Sequence, residues 1–154
     1  RMAKDALGLI EEDHNKMRAL LDKLSNTTDR AGKTRADLLQ QIEKELKVHT
    51  TIEEEIFYPK FRDADGKEHS KMYHEAVEEH RAVEDLVLPD LLKTDPQTPE
   101  FSGRCKVVKE LAEHHMQEEE EEMFEMARET LSQDELLQLG EEMAARKKEL
   151  MSQM

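Results

Sequence analysis

Two pairs of histidines, His14 with His49 and His80 with His115, are each separated by 35 residues, and the second pair repeats the first at an offset of 66. The midpoints between successive members fall near residues 31, 64 and 97. There the chain reads Arg30-Ala31-Gly32, Asp63-Ala64-Asp65-Gly66 and Asp95-Pro96-Gln97-Thr98-Pro99, all of it turn chemistry. Residues equidistant from a hairpin turn stand at the same height. An antiparallel up-down-up-down four-helix bundle would therefore bring one histidine from each helix to a single level. The fold class expected is all-α.

The apolar periodicity agrees with this. Helix 1 is expected to start after Asp5 as N-cap, with Leu7, Ile10, Met17, Leu21 and Leu24 at helical spacing and His14 filling the missing step. Helix 2, from about Thr34 to Pro59, carries the stripe Leu39, Ile42, Leu46, His49, Glu53, Ile56. Helix 3, from about His69 to Leu92, carries Tyr73, Ala76, His80, Val83 and Val87, with Pro89 expected to kink or end it. Helix 4 opens on Thr98 and Pro99, and its stripe runs Phe101, Cys105, Val108, Ala112, His115, Glu119, Met123, Met126. A fifth helix follows the capping box Ser132-Gln133-Asp134-Glu135 and continues through Leu136, Leu139, Met143 and Leu150. The division expected is a bundle over residues 1–131 and a C-terminal helix over 132–154 that packs on the bundle or on a partner.

Composition narrows the function. The 154 residues are 39% charged, with net charge −14, which repels phosphate backbones and argues against a nucleic-acid partner. No apolar run approaches the roughly 20 residues that span a bilayer and no signal-peptide core is visible, so no membrane association and a cytoplasmic location are expected. The lone Cys105 excludes an intrachain disulfide and reads as a small core residue. Arg1-Met2 reads as a tag remnant.

Residues four apart share a helix face, so His49 with Glu53 and His115 with Glu119 can aim an imidazole and a carboxylate at one point. With 37 acidic residues, an acid four positions after a histidine arises by chance for about two of the seven histidines, and His74, His80 and His114 also show it. What chance does not supply is equal spacing, turn midpoints and placement on four apolar stripes together. Four buried imidazoles and two buried carboxylates without a cation would be costly. As a mixed N/O donor set they suit iron or manganese and, less selectively, zinc. Two bridging carboxylates would leave each of two ions about five ligands and an open position for a small diatomic or peroxide ligand. His69 and His74 read as surface residues, and His114 as a group behind the ligands. Glu118 to Glu122 reads as a solvated face from which only Glu119 is selected. Tyr58 is read either as a phenolate filling an open metal position or as a core aromatic.

With these residues assembled, the chain resembles the hemerythrin-like family, also called HHE cation-binding domains, over residues 7–131. The pattern His, His-x-x-x-Glu, His, His-x-x-x-Glu falls on His14, His49, Glu53, His80, His115 and Glu119. The resemblance implies two iron ions in an oxo- or hydroxo-bridged non-heme diiron centre, with both glutamates bridging. The segment Phe57-Tyr58-Pro59 and the tail Leu139-Gly140-Glu141-Glu142-Met143-Ala144-Ala145-Arg146 are similar to a bacterial subgroup in which peroxide decomposition and a tyrosine ligand at the position of Tyr58 have been proposed. Oxygen-carrying members have a further histidine where this chain has Ala76, and an aspartate five residues after the helix 4 histidine where Glu119 comes four after His115. That argues against reversible oxygen carriage. Ferritin-like proteins need two Glu-x-x-His motifs, and only Glu11-x-x-His14 fits on a ligand helix. The function expected is catalase-like reaction with hydrogen peroxide. The alternatives are a non-enzymatic protein that binds, senses or stores oxygen, nitric oxide or iron, and a metal-free interaction bundle.

Overall fold

The computed structural model describes residues 4–154, so Arg1-Met2 lies outside the described residues. Four helical rods and a fifth helix make up the chain. The first rod is α1 (Ala6–Ser25). The second joins α2 (Gly32–Ile52) to α3 (Tyr58–Ala64) through a π turn at Glu53–Phe57. The third joins α4 (Lys67–Arg81) to α5 (Leu88–Leu92) through a π turn at Ala82–Val87. The fourth joins α6 (Pro99–Glu118) to α7 (Phe124–Thr130) through a π turn at Glu119–Met123, and α8 (Gln133–Ser152) closes the chain. No strand occurs among the described residues, and no helix among them is long and apolar enough to cross a membrane.

Side-chain caps fix the ends that the sequence marks. Asp5 accepts the Gly8 N–H at 2.8 Å, Thr98 accepts that of Phe101 at 3.3 Å ahead of Pro99, and Ser132 with Glu135 forms a reciprocal capping box. One of two prolines behaves differently from expectation. Pro59 does not end the second rod, which runs on to Ala64, whereas the third rod stops at Leu92 as expected, with Pro89 inside it. Each proline lies two residues beyond the end of a π turn, in the first turn of a resumed α-helix, where a missing N–H disturbs the ladder least.

The buried apolar side chains fall into two clusters. One holds Ile10, Ile52, Phe57, Tyr58, Phe61, Ala76, Met123 and Phe124. The other holds Met17, Leu21, Leu24, Ile42, Val83, Leu91, Phe101, Cys105 and Val108. Each rod passes from one cluster to the other in the opposite sense to the rod before it, which is the up-down-up-down order. The chain positions of His14, His49, His80 and His115 come at the crossing points, so a polar layer separates two dry cores. At the end of the bundle held by the second cluster, buried Arg35 ties two loops together, bonding the Thr27 hydroxyl at 2.9 Å and the Pro96 carbonyl while lying 4.7 Å over the Phe101 ring.

The fifth helix docks on the bundle against α1, α2 and the first π turn. Leu136, Leu139 and Met143 join the first cluster. Gly140 lies so close to the start of α1 that a β-carbon there would fall 2.5 Å from the Lys4 carbonyl oxygen.

Candidate metal centre

The polar layer brings together all six histidines and glutamates on the motif. Glu53 is 0% exposed and Glu119 2%. His49 Nε2 and His80 Nε2 stand 3.1 and 3.2 Å from Glu53 Oε1, while His14 Nε2 and His115 Nε2 stand 3.2 and 3.5 Å from the two oxygens of Glu119. Two ligand-like groups result, His14-His49-Glu53-Glu119 and Glu53-His80-His115-Glu119, each with one donor atom per residue within 4.8 Å of the others. The groups share both carboxylates. Despite these short distances, His14 Nε2, His49 Nε2, both oxygens of Glu53 and Glu119 Oε1 are buried and make no hydrogen bond of acceptable geometry. Buried polar atoms left this way are costly unless a cation takes the lone pairs. The donor set therefore fits metal ions.

Each imidazole is also held from behind. His14 Nδ1–H donates to Glu120 at 2.6 Å, His49 Nδ1–H to Asp13 at 2.9 Å, His80 Nδ1–H to Glu54 at 2.7 Å and His115 Nδ1–H to Glu79 at 2.7 Å. These bonds keep a proton on each Nδ1 and turn every Nε2 inward. The sequence pattern gives these four carboxylates no role of their own, and Glu120 corrects the reading that only Glu119 is selected from the acidic run. Their signal was present in the 66-residue repeat, which superposes Asp13 on Glu79 and Glu54 on Glu120.

Tyr58 is fully buried and joins the second group. Its O–H donates to Glu119 at 2.5 Å, and its oxygen is 3.2 Å from His80 Nε2 and 3.5 Å from His115 Nε2. In an unbroken α-helix Tyr58 would be rotated about 140° from Glu53. The π turn gives its N–H to the Glu53 carbonyl instead and returns it toward the same face. The other histidines stay outside. His74 and His114 are exposed, and His114 Nε2 lies 3.1 Å from Glu118 and 3.7 Å from Glu79. His69 is not the surface residue expected. It is 5% exposed, stacks on Phe61 with ring centroids 4.4 Å apart and meets the Thr130 hydroxyl at 3.0 Å. Its cover comes from α3, which continues beyond Pro59, the expected end of helix 2.

Residues 5–127 match the family model described as the hemerythrin HHE cation binding domain. The chain belongs to that family. A crystal structure of a hemerythrin HHE cation binding domain-containing protein from Mycobacterium kansasii superposes with a TM-score of 0.85 at 30% identity, covering 97% of this chain and 89% of that one. A protein named DNA nickase from Nostoc sp. is 29% identical over 143 residues, which is 92% of this chain but only 39% of the relative.

Within this HHE domain the electrostatics call for positive charge. Burial opposes charging of His49, but Glu53 and Asp13 outweigh it and hold its pKa well above the usual value. His80 is likewise opposed by burial yet pushed up to about 10, chiefly by Glu53 and Glu54. Burial would raise Glu53, but the charge of the His49 imidazole beside it holds it well below the carboxylate range. Burial, then Glu119 and Glu53, pushes Tyr58 well above the usual phenol value. Protons here do the work that a cation would do. Above the histidines lies a cavity of about 30 Å³, walled also by Met17, Leu46, Val83, Ala112 and Met116. It has room for one or two water-sized molecules.

Proposed function

We propose that this HHE domain holds two iron ions, spanned by Glu53 and Glu119, and decomposes hydrogen peroxide. The observation that carries the reading is the pair of four-residue groups sharing both carboxylates, with five buried donor atoms unbonded. His14 and His49 would hold one ion and His80 and His115 the other, with Tyr58 beside the second. The nitrogen and oxygen donor set suits iron or manganese ahead of zinc. When bound, the metal pair supplies redox equivalents and Lewis acidity.

The chain's own groups do the rest. Asp13, Glu54, Glu79 and Glu120 orient the imidazoles, and the apolar cavity wall excludes bulk water. The cavity size restricts entry to molecules such as peroxide, dioxygen or nitric oxide. Tyr58 holds a proton at its phenolic oxygen within reach of Glu119. In the overall reaction one peroxide is oxidised to dioxygen, giving two electrons and two protons. The second takes them up and is reduced to two waters.

The nickase activity in the name of the Nostoc relative is not carried over, because a net charge of −14 repels a phosphate backbone and the match spans 39% of that protein. The test is metal analysis of freshly purified protein with oxygen evolution followed after peroxide addition. About two irons per chain with sustained oxygen release is expected. Iron without turnover would replace the enzymatic reading by binding or sensing, and no uptake of ferrous iron would remove the metal reading itself.

Metal uptake should also displace the protons that the apo site holds. Below about pH 10 the His80 imidazole carries a proton that a metal must expel, so apparent affinity should rise as pH rises from about 6.5 toward 10. Proton release on titrating weakly buffered apo protein with a divalent metal checks this, and pH-independent affinity would contradict it.

A further inference from the structure

The 66-residue repeat makes the centre nearly two-fold, and the breaks that place lysine or arginine behind the ligands act in one direction. Half-site 1 is that of His14 and His49, and half-site 2 that of His80 and His115. Behind half-site 1, both orienting carboxylates are neutralised. Lys147 Nζ on α8 donates to Asp13 at 2.5 Å while Asp13 accepts from His49. An Arg18 guanidinium nitrogen donates to Glu120 at 2.9 Å while Glu120 accepts from His14. Behind half-site 2, neither Glu54 nor Glu79 has a lysine or arginine at ion-pair distance among the described residues. The basic group beside Glu79 is His114, 3.7 Å away with a 67% exposed side chain.

The repeat itself reverses the charge. The counterpart of Arg18 is Glu84, which accepts from Thr50 and can be an anion or a neutral acid but never a cation. Lys147 has no counterpart, because α8 lies outside the duplicated segments. The counterpart of Tyr58, which adds an oxygen to half-site 2, is Phe124, which has none to add.

A cation against an orienting carboxylate weakens that carboxylate's pull on the imidazole proton, making the inward nitrogen a poorer donor, and it also repels an incoming metal ion directly. We propose that the two half-sites are unequal by construction, that the His80–His115 half-site takes its metal ion first, and that α8 through Lys147 is a positioning element that weakens the other. This rests on the metal-centre reading above.

Calorimetric titration of apo protein with cobalt(II) tests it. His115→Ala is expected to weaken the first binding step by at least about tenfold, and His49→Ala to leave it within about threefold. Lys147→Met, which keeps the aliphatic stem, is expected to strengthen the second step by about fivefold and leave the first within about twofold. Arg18→Gln should act in the same direction. Equal losses in the two histidine variants would overturn the ordering, and a weaker or unchanged second step in Lys147→Met would overturn the role of α8. Should a histidine variant lose its apo helix content, the Lys147 and Arg18 variants carry the test alone. Failure of wild-type protein to bind cobalt at all would overturn the metal centre as well, which separates the two failures.

Discussion

Glu53→Ala is expected to remove both metal ions, taking bound metal from about two per chain to well under one, whereas Tyr58→Phe should retain both. Glu53 reaches toward His49 and His80 from one carboxylate and belongs to both ligand-like groups, so its loss takes a donor from each. Tyr58 belongs to one side only, and phenylalanine keeps its packing while giving up the bond to Glu119. Because ions that bind only the folded state stabilise it by mass action, each filled site adds about 4 kcal/mol at a thousandfold excess over Kd. For a chain of this size that is roughly 10 °C in Tm per site, and the metal-dependent increment should vanish in Glu53→Ala. Metal analysis beside melting curves with and without chelator measures both effects. Wild-type metal content in Glu53→Ala would sink the bridging role.

Gly140→Ala is expected to destabilise the protein by about 3 kcal/mol, the upper end of what overpacking costs, and to lower Tm by roughly 10 °C. In a helix interior this change ordinarily stabilises by up to about 1 kcal/mol, so the sign is inverted here. The cause is that the added carbon would lie 2.5 Å from the Lys4 carbonyl oxygen and 2.9 Å from the Ala6 nitrogen, and backbone at the capped start of α1 cannot rotate aside as a side chain could. The helix must move instead. Since Lys147 lies on the same helix and reaches Asp13, the shift should also loosen the support behind His49. Gly103→Ala, also inside a helix but with nothing within 4 Å, is the control and should stabilise by about 0.5–1 kcal/mol. A Tm for Gly140→Ala at or above that of the parent would show that α8 does not sit against α1.

Much of the architecture was legible without coordinates because it follows from periodicity. The spacing of His14, His49, His80 and His115 about turn-forming segments determined four antiparallel rods with one histidine each at a common level, and the apolar stripes together with the repeat determined that Glu53 and Glu119 face inward. Those relations depend on the pitch of a helix and the symmetry of a hairpin, both local properties of the chain. The caps at Asp5, Thr98 and Ser132 were legible for the same reason.

Only the tertiary structure decided how the rods are wound between those landmarks and what stands behind the ligands. A π turn adds a single residue without altering the apolar pattern enough to be seen. The second rod therefore runs past Pro59, and Tyr58 reaches His80 and His115 although an α-helix would turn it away. The buried state of His69 follows from that unseen extension. The repeat pairs Asp13 with Glu79 and Glu54 with Glu120, but among 37 acids it does not say what they touch, and their role exists only where one rod's carboxylate meets another rod's imidazole. Lys147 meets Asp13 across 134 residues of chain. Helical pitch is written into neighbouring residues, whereas pairings between rods depend on which surfaces meet, and that is settled only when the whole bundle closes.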